Sequence, residues 1–127
     1  MGRWEGKQTE LDQKVIGCAI EVHRTLGPGF IENIYRNALQ MELTRQGVRS
    51  EREKEIVISY KVAHVGTHRL DLVVEDWLIL ELKAIQALAA DHYAQLRSYL
   101  KAIGAPYGFL MNFGRARGDV RRVEPVR

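Results

Sequence analysis

The stretch that most constrains the fold of this chain is RLDLVVEDWLILELKA, residues 69–84. Two runs rich in Leu, Val and Ile flank a short polar segment, and this pattern predicts two adjacent β-strands joined by a tight turn. The composition is that of a buried sheet, yet the strands also carry Asp71, Glu81 and Lys83. Buried charges cost free energy unless they are paired or bind a metal. These three side chains therefore need a structural or chemical partner.

The alternation of side chains along a strand predicts how the two strands pair. Each strand has one wholly apolar face that is expected to point into the core: Leu70, Leu72 and Val74 in the first strand, and Leu78, Leu80 and Leu82 in the second. A two-residue turn would place Asp71 opposite Leu80 and mix the faces. A three-residue connection, or a bulge, places Asp71 opposite Glu81. It also places Arg69 opposite Lys83, and we predict this arrangement.

The rest of the chain predicts an α/β fold. Apolar residues at three- and four-residue steps indicate helices over about 9–26 (with Thr9 as N-cap), 30–46 and 90–103. Strands are predicted over 53–60, 67–75, 77–84 and 107–113. A turn is predicted at Gly66, between His64 and His68. The basic tail is expected to form a loose strand or coil. The second helix is expected to bury Ile31, Ile34, Tyr35, Ala38, Leu39 and Leu43. The order gives a three-strand antiparallel meander plus a crossover strand, a small mixed sheet flanked by helices.

Length and composition limit the other possibilities. The 127 residues suit a single domain, 1–127, with its core at about 9–123. No apolar run approaches the roughly 20 residues that span a membrane, and the N-terminus lacks the apolar segment of a signal peptide, so a cytoplasmic protein is expected. The single Cys18 excludes an internal disulfide and a Cys-based zinc site, and a small buried residue is expected there. A net charge of +3 permits nucleic acid as a partner.

The predicted cluster of charges has two interpretations, a metal site and a salt-bridged hairpin. Two carboxylates side by side repel each other and raise one another's pKa. A divalent cation between them removes that repulsion, and hard oxygen ligands suit Mg²⁺ or Mn²⁺. With Lys83 beside Asp71 and Glu81, the assembly suits metal-assisted hydrolysis of a phosphodiester. The alternative is a salt-bridged hairpin on a half-solvated sheet face, in which Glu81 pairs with Lys83 or Arg69.

At these residues the chain resembles a known group of proteins. The run DLVVED…LELKA, residues 71–84, looks like the core of the PD-(D/E)XK nuclease superfamily. GCAIEVHRTLGPGFIENIY, residues 17–35, resembles the signature of the GxxExxY family, a small bacterial and archaeal group placed in that superfamily. HYAQLRSYLKAIG and GFLMNFG match that family's closing helix and strand. The resemblance covers roughly residues 11–123 and implies a restriction-endonuclease-like fold.

The resemblance also implies roles for six residues. Asp71, Glu81 and the backbone carbonyl of Leu82 would be metal ligands, Lys83 would be the catalytic lysine, and Glu32 and Gln95 would assist. The superfamily's proline before the first acid is absent, since Leu70 stands there.

The expected function is a Mg²⁺- or Mn²⁺-dependent nuclease acting on DNA or RNA. A non-catalytic nucleic-acid- or protein-binding module that keeps the fold is the alternative. Trp4 and Trp77 could stack on bases, although ordinary packing is the simpler role for Trp77. A domain this small has little surface for holding a duplex, so a homodimer or a protein partner is also considered. The basic residues could line the site as a phosphate-tracking patch: Arg45, Arg49, Arg52, Lys54, Arg115, Arg117, Arg121 and Arg122.

Overall fold

A computed structural model describes residues 9–125 of the chain; Trp4 and the N-terminal segment examined for a signal peptide lie outside this range. Within it, the helices are α1 (Glu10–Leu26), α2 (Glu32–Arg45) and α3 (Ala90–Ile103), and the strands are β1 (Ser50–Tyr60), β2 (Ala63–Val74), β3 (Leu78–Lys83), β4 (Gly108–Asn112) and β5 (Asp119–Val123). No helix among these residues is long and apolar enough to cross a membrane.

The five strands form one mixed sheet in the order β1-β2-β3-β4-β5. β3 and β4 are parallel, because α3 carries the chain back between them, and the other neighbours are antiparallel. This confirms the predicted α/β fold, with its antiparallel meander and crossover strand. The basic tail adds one element to the prediction, since β5 pairs with β4 along its whole length.

Helices cover both faces of the sheet. α1 and α2 pack on one face in a cluster that contains Leu72, Leu80, Leu82 and the buried Cys18. α3 packs on the other face in a second cluster with Ile79. β3 is therefore buried on both faces, so the alternative of a half-solvated sheet face there is wrong.

One predicted side-chain direction is also wrong. Leu70 lies in the cluster beneath α3, whereas Leu72, two residues later, lies in the cluster beneath α1 and α2. The pleat is disturbed between them: Glu53, which lies opposite Asp71 on β1, has a left-handed backbone with φ of 54°. Such a conformation twists a strand, and the alternation of faces shifts at Asp71.

The register of the β2–β3 hairpin agrees with the prediction. Leu72 pairs with Leu80 and Val74 pairs with Leu78, so three residues, 75–77, connect the strands. This register places Asp71 opposite Glu81.

Two local predictions about the helices have different outcomes. Thr9 caps α1: its hydroxyl accepts a hydrogen bond from the Asp12 N–H, and the Asp12 carboxylate accepts one from the Thr9 N–H. α2 begins at Glu32 rather than at residue 30, so Ile31 is the capping residue and is 69% exposed. Ile34 is also exposed, and the buried stripe consists of Tyr35, Leu39 and Leu43.

The first hairpin turns at a different place from the one predicted. Tyr60 pairs with Ala63, so Lys61 and Val62 form a two-residue turn, while Gly66 lies within β2 opposite Ile58. Lys61 adopts φ of 55°, a conformation for which Gly, Asn or Asp is the usual sequence signal. The turn was missed because none of these residues stands there.

Candidate functional site

The carboxylates of Asp71 and Glu81 meet where β2 and β3 separate. The backbone N–H of Asp71 donates a hydrogen bond of 3.3 Å to Oε1 of Glu81, and the backbone N–H of Leu82 donates one of 2.8 Å to Oδ2 of Asp71. Side-chain oxygens here take the place of the backbone partners of a sheet. Because the N–H and C=O of one strand residue point to the same side, the Leu82 carbonyl also points toward β2. Two carboxylates and one backbone carbonyl therefore face this gap.

Burial and repulsion perturb the Glu81 carboxyl. It is 7% exposed, and burial raises its pKa to about 8, with the negative charge of Asp71 as the next cause. The hydrogen bond from Asp71 and the positive charge of Lys83 act in the opposite direction. The sequence prediction that two neighbouring carboxylates raise a pKa applies here, with desolvation as the larger cause.

Glu32 supplies a third carboxyl group from the first turn of α2. Burial raises its pKa, the charge of Asp71 raises it further, and Lys83 and Arg36 lower it. The structure therefore brings Glu32 into the same cluster as Asp71, although the two residues lie far apart in sequence.

Lys83 ends β3 beside these acids. Its charge lowers the pKa of both Glu32 and Glu81, so its ammonium group lies within electrostatic reach of both. Pairing with β4 fixes the backbone of Lys83. Lys83 is paired with Asn112, and the Lys83 carbonyl accepts a 2.8 Å hydrogen bond from the Phe113 N–H.

Asn112 is a supporting residue that sequence reasoning missed. It is 1% exposed, and its side-chain oxygen accepts hydrogen bonds from the N–H groups of Ile85 and Gly114, at 3.1 and 3.0 Å. Its amide donates to the Ile85 carbonyl at 3.0 Å. These bonds hold the segment that leaves the Lys83 end of β3. The only sequence signal was a polar residue inside an apolar strand.

Arg36 is the most important residue that the sequence analysis overlooked. One of its guanidinium nitrogens, Nη1, lies 3.2 Å from Oδ1 of Asp71, and the other, Nη2, lies 2.9 Å from Oε1 of Glu53. Its side chain is 13% exposed, and its Nε is buried with no hydrogen-bond partner. Arg36 follows Glu32 by four residues, which places both on one face of α2. That spacing was the available signal.

Gln95 lies outside the carboxylate cluster. It is exposed on α3, and it is placed to hydrogen-bond the Tyr99 hydroxyl, which lowers the Tyr99 pKa. Burial raises that pKa, and the charge of Glu81 raises it further. The Tyr99 ring stacks on His68 at 3.8 Å, and its hydroxyl lies 3.1 Å from the Nδ1 atom of His68.

His64 and His68 do not bracket a turn, because both lie within β2. Residues four apart in a strand are separated by about 13 Å, so the two imidazoles cannot share one metal ion. Tyr35, the last residue of the resembling signature, has a structural role. Its hydroxyl donates to the Gly27 carbonyl at 2.5 Å and accepts from the Phe30 N–H at 3.2 Å, which holds the α1–α2 loop.

Several basic residues of the expected phosphate-tracking patch are paired with acids. Arg49 contacts Glu75 and Asp76, and Arg121 contacts Asp119. These ion pairs lie at the outer surface, where such pairs are worth little, so they leave the cations accessible to solvent.

The donor set of the site fits a hard divalent cation. Asp71, Glu81 and the Leu82 carbonyl are all oxygen donors, and Mg²⁺ typically uses one or two protein carboxylates with water and phosphate as the remaining ligands. Between residues 9 and 125 no three His, Cys, Asp or Glu side chains form a ready-made metal cage. The carboxylate pair therefore fits an ion whose remaining ligands are water and substrate. Such an ion would compete with Arg36 for the Asp71 carboxylate.

Comparison with known proteins shows the superfamily and the fold of the chain. Residues 9–123 match the family model of the PD-(D/E)XK nuclease superfamily. No curated protein matches the sequence. Among solved structures, the crystal structure of SSO0001 is similar in fold, with a TM-score of 0.61 at 21% sequence identity. The match covers 76% of this chain and 52% of that one, so it spans about half of that protein. By the match over residues 9–123, the chain belongs to the PD-(D/E)XK nuclease superfamily.

Proposed function

We propose that this protein is a Mg²⁺- or Mn²⁺-dependent nuclease that hydrolyses phosphodiester bonds in DNA or RNA. The observation that carries the proposal is the meeting of Asp71 and Glu81 in the gap between β2 and β3, where burial and mutual repulsion raise the pKa of Glu81 to about 8. Members of the superfamily are generally phosphodiesterases and typically use divalent metals. Burying two carboxylates side by side costs free energy, and a bound cation would remove the repulsion between them.

The proposal assigns a role to each residue of the site. Asp71, Glu81 and the Leu82 carbonyl would hold the ion, which when bound offsets charge on the phosphate and lowers the pKa of water. The Lys83 ammonium group stabilises the attacking hydroxide or the negative charge that grows on the phosphate. Glu32, in the same cluster, positions a water molecule by hydrogen bonding.

Gln95 acts less directly in this proposal. Its hydrogen-bond partner is the Tyr99 hydroxyl, so in this proposal it orients that hydroxyl. Within the superfamily, we assign the chain to the GxxExxY family. The support is the run Gly29-Phe30-Ile31-Glu32-Asn33-Ile34-Tyr35, in which Glu32 faces the site and Tyr35 holds the preceding loop.

A non-catalytic binding module is the second candidate function. The observation that favours it is the ion pair of Arg36 with Asp71, because a guanidinium group then neutralises an acid that a metal ion would otherwise bind. In such a module the charged cluster would be a closed salt-bridge network with no requirement for metal.

A cleavage assay tests the proposal. The purified protein would be incubated with labelled single- and double-stranded DNA and RNA in Mg²⁺, Mn²⁺ or EDTA, beside Lys83→Ala, Glu81→Ala and the exposed control Glu55→Gln. Metal-dependent cleavage by the wild type and the control, absent in both site variants, would support the nuclease. No cleavage of any substrate, together with no change of melting temperature on adding metal, would favour the binding module.

A further inference from the structure

The outer part of the β1–β2 hairpin extends away from the packed domain. Residues 59–65 are all exposed, and they include the Lys61–Val62 turn. β1 is the outermost strand in the sheet order, so its free edge is not covered by another described strand. The last residue of β1 that packs on the core is Ile58, which is only partly buried. We call residues 57–66 the ribbon.

The charge of this region differs from that of the inner half of β1. Residues 56–70 contain Lys61, Arg69, His64 and His68 but no Asp or Glu, whereas the inner half of β1 mixes Glu51, Glu53 and Glu55 with Arg52 and Lys54. The ribbon thus presents only neutral or positive side chains to a partner. A polyanion is the partner that matches such a surface.

The exposed side chains at the tip are an aromatic ring, a cation and aliphatic groups. Tyr60 is 64% exposed, and the Nζ atom of Lys61 lies 5.4 Å from the centroid of its ring. Val57, Val62 and Val65 are all more than half exposed. Aliphatic groups contact thymine methyls and sugars, and Lys61 can contact phosphate, so the tip suits a nucleic-acid groove.

The dimensions agree with a duplex. A two-stranded ribbon fits the B-DNA major groove, which is about 12 Å wide, but side chains cannot read the deep, narrow major groove of A-form RNA. Val62, in the turn that precedes β2, and Asp71, on β2, are nine residues apart, which corresponds to about 30 Å of extended strand. The tip and the carboxylates could therefore contact one duplex at points separated by roughly one helical turn.

We propose that the ribbon docks in the major groove of double-stranded DNA, which makes duplex DNA the substrate class of the nuclease; this choice of substrate rests on the proposed function. Two features favour DNA over a protein partner: the absence of acids over residues 56–70, and the continuity of β2 from the ribbon to Asp71.

The test is a binding measurement in EDTA, so that no chemistry intervenes. Fluorescence anisotropy would compare wild-type protein on a DNA duplex of about 25 base pairs and on an RNA duplex of the same sequence. The ribbon variant combines Tyr60→Ser, Lys61→Asn and Val62→Ser, with Asn chosen because it tolerates the left-handed backbone. Lys101→Asn, at an exposed position on α3, is the matched control for the loss of one positive charge.

The proposal predicts that the wild type binds the DNA duplex at least about tenfold more tightly than the RNA duplex. The ribbon variant should bind DNA about tenfold more weakly. The slope of its log binding constant against log salt concentration should fall by about one in magnitude. Lys101→Asn should change both quantities little. Unchanged DNA affinity of a folded ribbon variant would overturn the proposal. So would a variant that dissociates a dimer in sedimentation while still binding DNA normally, since the ribbon would then be a protein interface.

A separate measurement keeps this result distinct from the chemistry. Wild-type hydrolysis of the small diester bis(p-nitrophenyl) phosphate with Mn²⁺ requires no groove contact. If the protein hydrolyses neither this diester nor the DNA duplex with Mn²⁺, yet shows a ribbon-dependent affinity for duplex DNA, the nuclease is refuted and the docking surface is supported. Its presence, beside DNA binding that ignores the ribbon, would overturn the docking surface alone.

Discussion

The Asp71 carboxylate accepts a 2.8 Å hydrogen bond from the backbone N–H of Leu82, at the point where the pairing of β2 with β3 stops. A side chain has replaced a backbone acceptor, and the two strands separate beyond it. The Leu82 carbonyl faces the same gap, in which the Asp71 N–H also contacts Glu81. The site therefore depends on an interruption of regular sheet structure.

The pH dependence of stability should reveal the strain on Glu81. Its pKa is raised from the ordinary value of 4.5 to about 8, so the folded, metal-free protein binds more protons than the unfolded chain between these values. The free energy of unfolding should therefore fall as the pH rises from about 4.5 to 8, by on the order of 3–4 kcal/mol. Urea denaturation in EDTA across this range measures the slope.

The matched variants for that experiment are Glu81→Gln and Glu55→Gln. The first keeps the shape but removes the titrating group, so most of the slope should disappear. The second lies on the exposed side of β1 and should keep the wild-type slope. A Glu81→Gln protein that still loses stability at the same rate would show that Glu81 is not the strained group.

Arg36 should compete with metal for Asp71. Arg36→Met removes a cation that lies 3.2 Å from Oδ1 of Asp71, so we expect the metal-free protein to lose about 2 kcal/mol of stability and its affinity for Mn²⁺ to rise about tenfold. Arg49→Met is the control, because Arg49 also pairs with two acids but is 68% exposed. It should change stability by less than about 1 kcal/mol and leave metal affinity unaltered. Equal metal affinity in the two variants would contradict the competition.

Substitutions at Lys83 and at Asp71 should distinguish the loss of catalysis from the loss of metal binding. Lys83→Met should reduce cleavage by about 10²–10³-fold, because charge stabilisation at the phosphate is lost, while the rise in melting temperature with Mn²⁺ persists. Asp71→Asn should abolish both effects. The two measurements are a cleavage rate and a thermal-shift titration on the same preparations. A Lys83→Met protein that cleaves at the wild-type rate would remove this residue from the mechanism.

Two glycine-to-alanine changes should have opposite effects on stability. A Cβ at Gly114 would lie 2.3 Å from the Ile85 nitrogen and 2.4 Å from its carbonyl oxygen, both backbone atoms, so Gly114→Ala should cost about 2–3 kcal/mol. At Gly17, on the exposed side of α1, a Cβ meets nothing within 4 Å. Gly17→Ala should stabilise the protein by about 0.5–1 kcal/mol. Chemical denaturation measures both, and a neutral Gly114→Ala would show that the segment after β3 can move.

The sequence predicted what depends on local pattern. The alternation in β2 and β3, together with the requirement that their apolar faces stay buried, was enough to find the three-residue connection and the meeting of Asp71 with Glu81. The same alternation predicted the wrong face for the Leu70 side chain, because the shift of faces depends on the left-handed backbone of Glu53 on β1. Such a distortion leaves no periodic signal.

The two charged site residues that were missed share one cause. Arg36 and Glu53 are charged residues on a helix and a strand, and a solvated surface is the default interpretation of each. Their role depends on a contact made across 35 residues of sequence, between Arg36 and Asp71. His68 and Tyr99, whose rings stack, are likewise separated by 31 residues of sequence. Resemblance to a family supplied Glu32, which pattern alone could not distinguish from a helix-start acid.

The most direct test of the account is the number of protons released when metal binds. Calorimetric titration with Mn²⁺ at pH 7, in buffers of different ionisation enthalpy, measures it. If Asp71 and Glu81 hold the ion, a Glu81 carboxyl with a pKa of about 8 must lose its proton, so the account predicts release of about one proton at pH 7 and almost none at pH 9. Mn²⁺ binding with no proton release at pH 7, or no binding at all, would contradict the claim that this carboxylate pair is a metal site.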